Sequence, residues 1–226
     1  MRVAVAFTPE QAPPAELGIV VDVLRATSTI AQALASGYER VLCCAEIEEA
    51  RALRAEIAHS LVGGERNAIQ IDGFDVGASP REFRDARAET LILSTTNGTR
   101  AILETARRCE TVVLGSLLNL EAVVQAAQAT EVAVVCAGFK GSFALDDAYC
   151  AGRIVQLLGG GERNDPAVAA DLIAQAFPTG HAALNARTYG PPGLEEDIAF
   201  CARESVLDVV PRLVGAVGPA AEIMLR

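Results

Sequence analysis

Ile92-Leu93-Ser94-Thr95-Thr96-Asn97-Gly98-Thr99-Arg100-Ala101 joins an apolar run to a helical pattern. Thr90 to Leu93 reads as a buried strand and Asn97 to Arg107 as a helix, with small hydroxyl, amide and glycine residues between. A strand that enters a helix in this way leaves the first helical N–H groups unpaired at the end of a sheet. With the helix dipole they make a site for an oxyanion. Gly98 allows close approach of a ligand to the backbone, and Thr95, Thr96, Asn97 and Thr99 add donors. The same residue types are favoured as helix N-caps, so the segment alone fits a tight turn equally well.

Outward from this stretch, strand and helix signals alternate. Strands are expected at 2–7, 18–23, 41–44, 61–62, 90–93, 111–114 and 131–136, and helices at 27–36, 46–59, 97–107, 120–128 and 145–158. Gly37 supplies a C-cap signal after the first helix. The stretch beyond 164 reads as helical, with turns at 178–180 and 190–193. Near-continuous apolar strands alternating with helices indicate an α/β fold: a largely parallel sheet flanked by helices on both faces, in three layers. A chain of 226 residues fits one unit over 1–226, or two α/β subdomains meeting near 108–118.

Composition narrows the partners. The net charge is −10, and of the nineteen Lys and Arg residues only Lys140 is a lysine. This argues against nucleic acid or an anionic membrane as partner, and means that any anion site is built locally from a few arginines and backbone donors. No apolar run approaches the roughly 20 residues of a membrane span, and the N-terminus lacks a signal-peptide plan. Six cysteines lie mostly in apolar segments without CxxC spacing, which points to buried, reduced thiols in a cytoplasmic protein. Gly-Glu-Arg-Asn occurs at 64–67 and again at 161–164. Poor flanking similarity favours coincidence.

Four segments carry chemistry. In Val20-Val21-Asp22-Val23-Leu24-Arg25, a carboxylate follows an apolar strand, where it is expensive to bury without a cation or donors. Hydroxyls at 27–29 open the next helix. Asp22–Arg25 is either a structural pair that closes the turn or part of a site. Glu65 and Arg66 follow two glycines at a strand end. The 94–99 turn is the third segment, and Cys136 to Ser142 with Asp146-Asp147 is the fourth. Adjacent carboxylates opening a helix either complement its dipole or hold Mg²⁺. In open parallel sheets ligands bind beyond the carboxyl ends of strands, and all four segments are expected there. Acids for a metal, with arginines and helix N-termini for an oxyanion, are the inventory of phosphoryl transfer.

Several phosphate chemistries are excluded by inspection. No cysteine has Arg six positions later, neither His59 nor His181 follows an arginine, and no Gly-x-x-x-x-Gly-Lys-Ser/Thr is present. Leu24 stands where haloacid-dehalogenase-like enzymes carry a second Asp.

Six blocks in order, VVDVLRATSTI (20–30), GGER (63–66), GFDVGASP (73–80), STTNGTRAI (94–102), CAGFKGSFALDDAYCAG (136–152) and EDIAFCA (196–202), resemble the 2-phosphosulfolactate phosphatase family over nearly the whole length. Ala78 departs from the Asn expected in the family's third block. The resemblance implies Mg²⁺-dependent hydrolysis of 2-phosphosulfolactate to sulfolactate and phosphate, a step toward coenzyme M in methanogens. The family also occurs in bacteria that do not make coenzyme M. On this reading Asp22 is a metal ligand or nucleophile, and Arg25 and Arg66 clamp phosphate or sulfonate. Thr95, Thr96, Asn97, Gly98 and Thr99 supply donors, while Glu65 and Asp147 are further metal ligands or acid–base groups. The expected partner is a small phosphorylated, sulfonated acid, and a homo-oligomer is compatible with the sequence. The competing reading is a non-catalytic anion-binding or regulatory protein that retains the pocket.

Overall fold

The structure, a computed structural model, describes residues 1–190 and 192–225. Pro191, inside the turn expected at 190–193, and Arg226 lie outside the described residues. The strands are β1 (Arg2–Ala6), β2 (Ala15–Val21), β3 (Arg40–Cys44), β4 (Ser60–Arg66), β5 (Ile69–Gln70), β6 (Thr90–Ser94), β7 (Cys109–Gly115), β8 (Glu131–Cys136), β9 (Glu162–Arg163), β10 (Pro211–Val217) and β11 (Ala220–Leu225). The helices are α1 (Ala26–Ala35), α2 (Ile47–Glu56), α3 (Gly98–Ala106), α4 (Leu120–Ala126), α5 (Leu145–Leu158), α6 (Asp165–Ala176), α7 (Gly180–Asn185) and α8 (Glu195–Cys201).

All eleven strands join one sheet in the order β5-β4-β6-β3-β11-β10-β7-β2-β8-β1-β9. Strand β2 shows why its sequence is apolar throughout. Ile19, Val20 and Val21 are each fully buried. Successive side chains point to opposite faces, so an unbroken apolar run requires cover on both. Ile19 and Val21 enter a core formed with α4 to α8, and Val20 enters a second core formed with α1 and α3. Each such side chain contributes about 1.5–3 kcal/mol. On the far half of the sheet, α2 covers Leu42 and Ile92 in a third core. The result is three layers: α1 and α3 on one face, and α2 with α4 to α8 on the other.

Two regions differ from the sequence expectation, the C-terminal segment and the strand at 61–62. Residues 211–225 form an antiparallel hairpin, not helix, and the hairpin sits in the middle of the sheet. Strand β11 pairs antiparallel with β3, and β10 pairs antiparallel with β7. Gly218, with φ at +56, and Pro219 make the turn between the two strands. The expected short strand at 61–62 extends over 60–66 and carries Gly-Glu-Arg within it.

The hairpin also sets the relative direction of the two parallel halves. Antiparallel pairing at β3–β11, β11–β10 and β10–β7 makes β4, β6 and β3 run opposite to β7, β2, β8 and β1 at the seam. A flat sheet would place their carboxyl ends on opposite edges. Their meeting is observed directly: a side chain placed on Gly98, after β6, collides with Ala26 Cβ, after β2. The sheet is therefore not flat across the five steps from β6 to β2.

Candidate functional site

The cleft at this meeting point is open to solvent and is lined by residues from both halves of the sheet. Asp22 is its floor. The residue leaves β2 and turns into α1; its Oδ1 accepts from the Ala26 N–H at 3.2 Å, and its own N–H donates to Thr27 Oγ1 at 3.0 Å. The hydroxyls of 27–29, expected near the site, are spent on the fold. Thr27 donates to the Asp22 carbonyl, Ser28 to the Val23 carbonyl and Thr29 to the Ala78 carbonyl. The last bond uses only the backbone of residue 78, so alanine there costs it nothing.

Glu65 and the turn after β6 form one wall. Glu65 Oε1 accepts from both the N–H and the hydroxyl of Thr96, each at 2.9 Å. Its Oε2 accepts from Ala68 N–H at 2.6 Å. Asn67 and Ala68, both at positive φ, make the two-residue turn from β4 into β5. A left-handed alanine is costly, and Glu65 together with Arg25, which donates to the Ala68 carbonyl at 3.1 Å, holds it at the rim. Thr95, Thr96 and Asn97 line the cleft. Gly98 and Thr99 stand behind them, Thr99 donating its N–H to Thr95 Oγ1 at 3.4 Å. Any side chain at 98 would also come within 2.8 Å of Asp22 Oδ2, so only glycine lets α1 and α3 bring their N-termini together.

Arg25 lines the cleft but does not pair with Asp22 as a turn-closing salt bridge. Its guanidinium donates to Asp197 Oδ2 at 2.7 Å, an ion pair with both side chains nearly buried. Two of its five N–H donors are used by Asp197 and Ala68; three remain for a ligand.

Two expected residues face elsewhere. Arg66 donates to the Glu65 and Ala45 carbonyls and to Ser94 Oγ, an assignment that ties β4 to the start of the 95–99 turn, and it is absent from the lining. Asp147 accepts from the N–H groups of Val23 at 2.9 Å and Gly138 at 3.0 Å. It clamps the loops after β2 and β8 instead of lining the cleft. The carboxylate that lines it is the neighbouring Asp146, hydrogen-bonded by the Tyr189 hydroxyl. On a helix, adjacent residues point about 100° apart, so only one of the pair can face the ligand. Arg187, Tyr189 and Leu194 close the far side, with Tyr189 stacked on Phe139 at 4.7 Å between centroids. Lys140 stands at the mouth, its N–H on Asn97 Oδ1.

Burial dominates the electrostatics. It pushes Asp22 up to about 7, with the negative charges of Asp146 and Glu65 adding and the Ala26 hydrogen bond and Arg25 opposing. Asp146 is raised by the same burial, against the Tyr189 hydrogen bond. Asp147 lies well above the usual carboxylate range through burial, then Asp146 and Asp22. Three acids (Asp22, Glu65, Asp146) and three cations (Arg25, Lys140, Arg187) thus line one cleft, and burial is what makes Asp22 and Asp146 hold their protons more tightly than free carboxyls.

A family model described as 2-phosphosulpholactate phosphatase matches residues 5–216. The chain belongs to the 2-phosphosulfolactate phosphatase family. It is accordingly a phosphoric monoester hydrolase. It is 39% identical over 230 residues to a Gloeobacter violaceus protein named a probable 2-phosphosulfolactate phosphatase, covering 96% of this chain and 97% of that one. Proteins of the same name from Carboxydothermus hydrogenoformans and Thermotoga maritima are 37% and 39% identical. They cover 93% and 88% of this chain, and 92% and 89% of their own. Sequence reading named Asp146 beside Asp147 but chose Asp147 of the pair, and it passed over Arg187, Tyr189 and Asp197; these four differ in how visible they were. Asp146 and Asp197 sit inside two of the quoted blocks. Arg187 and Tyr189 sit in a segment without periodicity or motif, and only the fold returns them to the cleft.

The cysteines are free and buried among the described residues, and none lines the cleft. The two Gly-Glu-Arg-Asn copies have unrelated roles. The first is on β4 beside the cleft; in the second, Arg163 pairs with Asp171 and Asn164 caps α6.

Proposed function

We propose that this chain hydrolyses 2-phosphosulfolactate to sulfolactate and inorganic phosphate with Mg²⁺ as cofactor. The observation that carries the reading is the meeting of three acids, Asp22, Glu65 and Asp146, with Arg25 and Arg187 in one cleft at two helix N-termini. Arg25's remaining donors fork onto phosphoryl oxygens, a bidentate geometry that arginine provides and lysine does not. The N-terminus of α3 adds its dipole to the same charge. Arg187, on the opposite side, and Lys140, at the mouth, are placed for a second anionic group, as a sulfonated acid requires.

The acids suit a hard cation. Among the described residues no three His, Cys, Asp or Glu side chains are grouped closely enough to hold a metal by themselves. Mg²⁺ does not need such a cage: it is bound through one or two carboxylates, with water and substrate phosphate filling the other positions. Asp22 and Asp146 fit that role, and their raised proton affinity is what acids awaiting a cation show. When bound, Mg²⁺ supplies charge neutralisation at the transferring phosphoryl group. Glu65 shapes the wall by holding Thr96 and the Ala68 turn. Hydrolysis joins a water oxygen to phosphorus and releases the ester oxygen as an alcohol, so one proton leaves water and one reaches the leaving oxygen.

Phosphate release from 2-phosphosulfolactate, compared with a phosphomonoester that lacks the sulfonate, tests the reading. Preference for the sulfonated substrate is the expected result. Equal rates on both would remove the substrate assignment, and no release from either would favour the non-catalytic anion-binding alternative.

A further inference from the structure

Asp197 is a buried carboxylate on α8, far along the chain from every acid considered above, and it lies outside the cleft lining. Three donors converge on it. Arg25 reaches Oδ2 at 2.7 Å, Ser79 donates its hydroxyl to Oδ1 at 2.5 Å, and Arg81 approaches the same oxygen at 3.5 Å. One side chain thereby ties the turn after β2 to the loop that precedes β6 and to the C-terminal helices. A fully desolvated ion pair is weak evidence for stability, since desolvation offsets most of the attraction. It does fix geometry. An arginine with four rotatable bonds loses much of its freedom when one end of its fork is pinned, and the remaining N–H groups then point at a set position.

We propose that Asp197 is a positioning residue for the anion site: it holds the Arg25 guanidinium in the orientation that binds the phosphoryl group, with Ser79 fixing the carboxylate in turn. The proposal rests on the phosphatase reading and adds a requirement to it. Asp197 touches no substrate, so its effect passes through Arg25 alone. Its loss therefore weakens phosphate binding in the wild-type background and has no further effect where Arg25 is already lysine.

Calorimetric titration with inorganic phosphate, the reaction product, measures this without any assumption about the natural substrate. Asp197→Asn is expected to bind phosphate about tenfold more weakly, Arg25→Lys by a similar factor, and the double variant no more weakly than Arg25→Lys alone. Ser79→Ala leaves the ion pair in place and guards against a misfolded Asp197→Asn. It is expected to lose about threefold, and again nothing in the Arg25→Lys background. Glu196→Gln, which removes only the neighbouring surface pair with Arg81, should bind phosphate as the wild type does. Independent losses that multiply in the double variants, or wild-type affinity in both Asp197→Asn and Ser79→Ala, would overturn the positioning role. A wild-type protein that binds phosphate yet releases none from any phosphomonoester would sink the phosphatase reading while leaving the positioning role intact. A wild-type protein that does not bind phosphate would overturn the positioning role whatever its activity.

Discussion

At the scale of single residues, Asp22 has opposite effects on folding and on function. Its carboxyl is pushed from an ordinary value of 3.8 up to about 7 in the folded, metal-free chain, chiefly by burial. Between those values the folded state holds a proton that the unfolded state has released. Stability from this group is therefore fully present below about pH 4 and is lost as pH rises through 7. A shift of this size corresponds to a few kcal/mol. Asp22→Asn removes the charge while keeping the shape. We expect it to raise the melting temperature in EDTA at pH 8 by several degrees, to change it little at pH 4, and to abolish activity. Mg²⁺ should then stabilise the wild type at pH 8 and leave the variant unmoved. A variant less stable than the wild type at pH 8, with both in EDTA, would mean that Asp22 is ionised and well paired in the metal-free protein. The residue scale is also where the sequence was least legible. That Asp22, Glu65 and the 95–99 turn would share a cleft followed from their positions at strand ends. Which of Asp146 and Asp147 faces the cleft depends on helix phase, and what occupies the forks of Arg25 and Arg66 depends on partners that are distant in sequence.

At the scale of elements, the site depends on two helices starting in contact. Gly98 is the first residue of α3, and a methyl group there meets Ala26, the first residue of α1, as well as Asp22 Oδ2 at 2.8 Å. Ala26 Cβ is fixed to its helix and cannot turn aside from that methyl, so the helices must part. Gly98→Ala is expected to cost about 1–3 kcal/mol of stability, as overpacking does, and to lower kcat/KM by at least 100-fold by displacing Asp22 from the 95–99 turn. Melting curves and phosphate-release kinetics on one preparation check this; near-normal kinetics would show that the helix contact does not set the site. Most elements were readable from the chain because their apolar runs are covered on both faces and their ends carry glycine and hydroxyl signals. The β10–β11 hairpin was not. Its pattern is irregular, with a register shift between Leu213 and Gly215, so no period of two stands out. The Gly218-Pro219 dipeptide was the available signal.

At the scale of the molecule, that hairpin joins the two parallel halves and thereby sets where their ends meet. Convergence of the four chemical segments was expected from a single parallel sheet, in which all carboxyl ends share an edge. They do meet, but the halves run oppositely at the seam, so a shared edge of one parallel sheet is not what brings them together. The hairpin is buried where it joins β3, with Ile223 fully enclosed opposite Val41. Because it belongs to both halves, we expect urea unfolding to follow one transition with coincident signals from the two halves. We also expect Ile223→Asp, an unpaired charge in that seam, to abolish the fold as a whole. Two resolved transitions would instead divide the chain into two subdomains. The account as a whole turns on the cleft that the seam creates, and steady-state release of phosphate from 2-phosphosulfolactate measures it most directly. The assay compares the wild type and Asp22→Asn, with Mg²⁺ and after EDTA. The account predicts turnover by the wild type that EDTA removes and Mg²⁺ restores, and a loss of at least 1,000-fold in Asp22→Asn, about 4 kcal/mol of transition-state stabilisation. Turnover that survives EDTA, or that persists in Asp22→Asn, would contradict it.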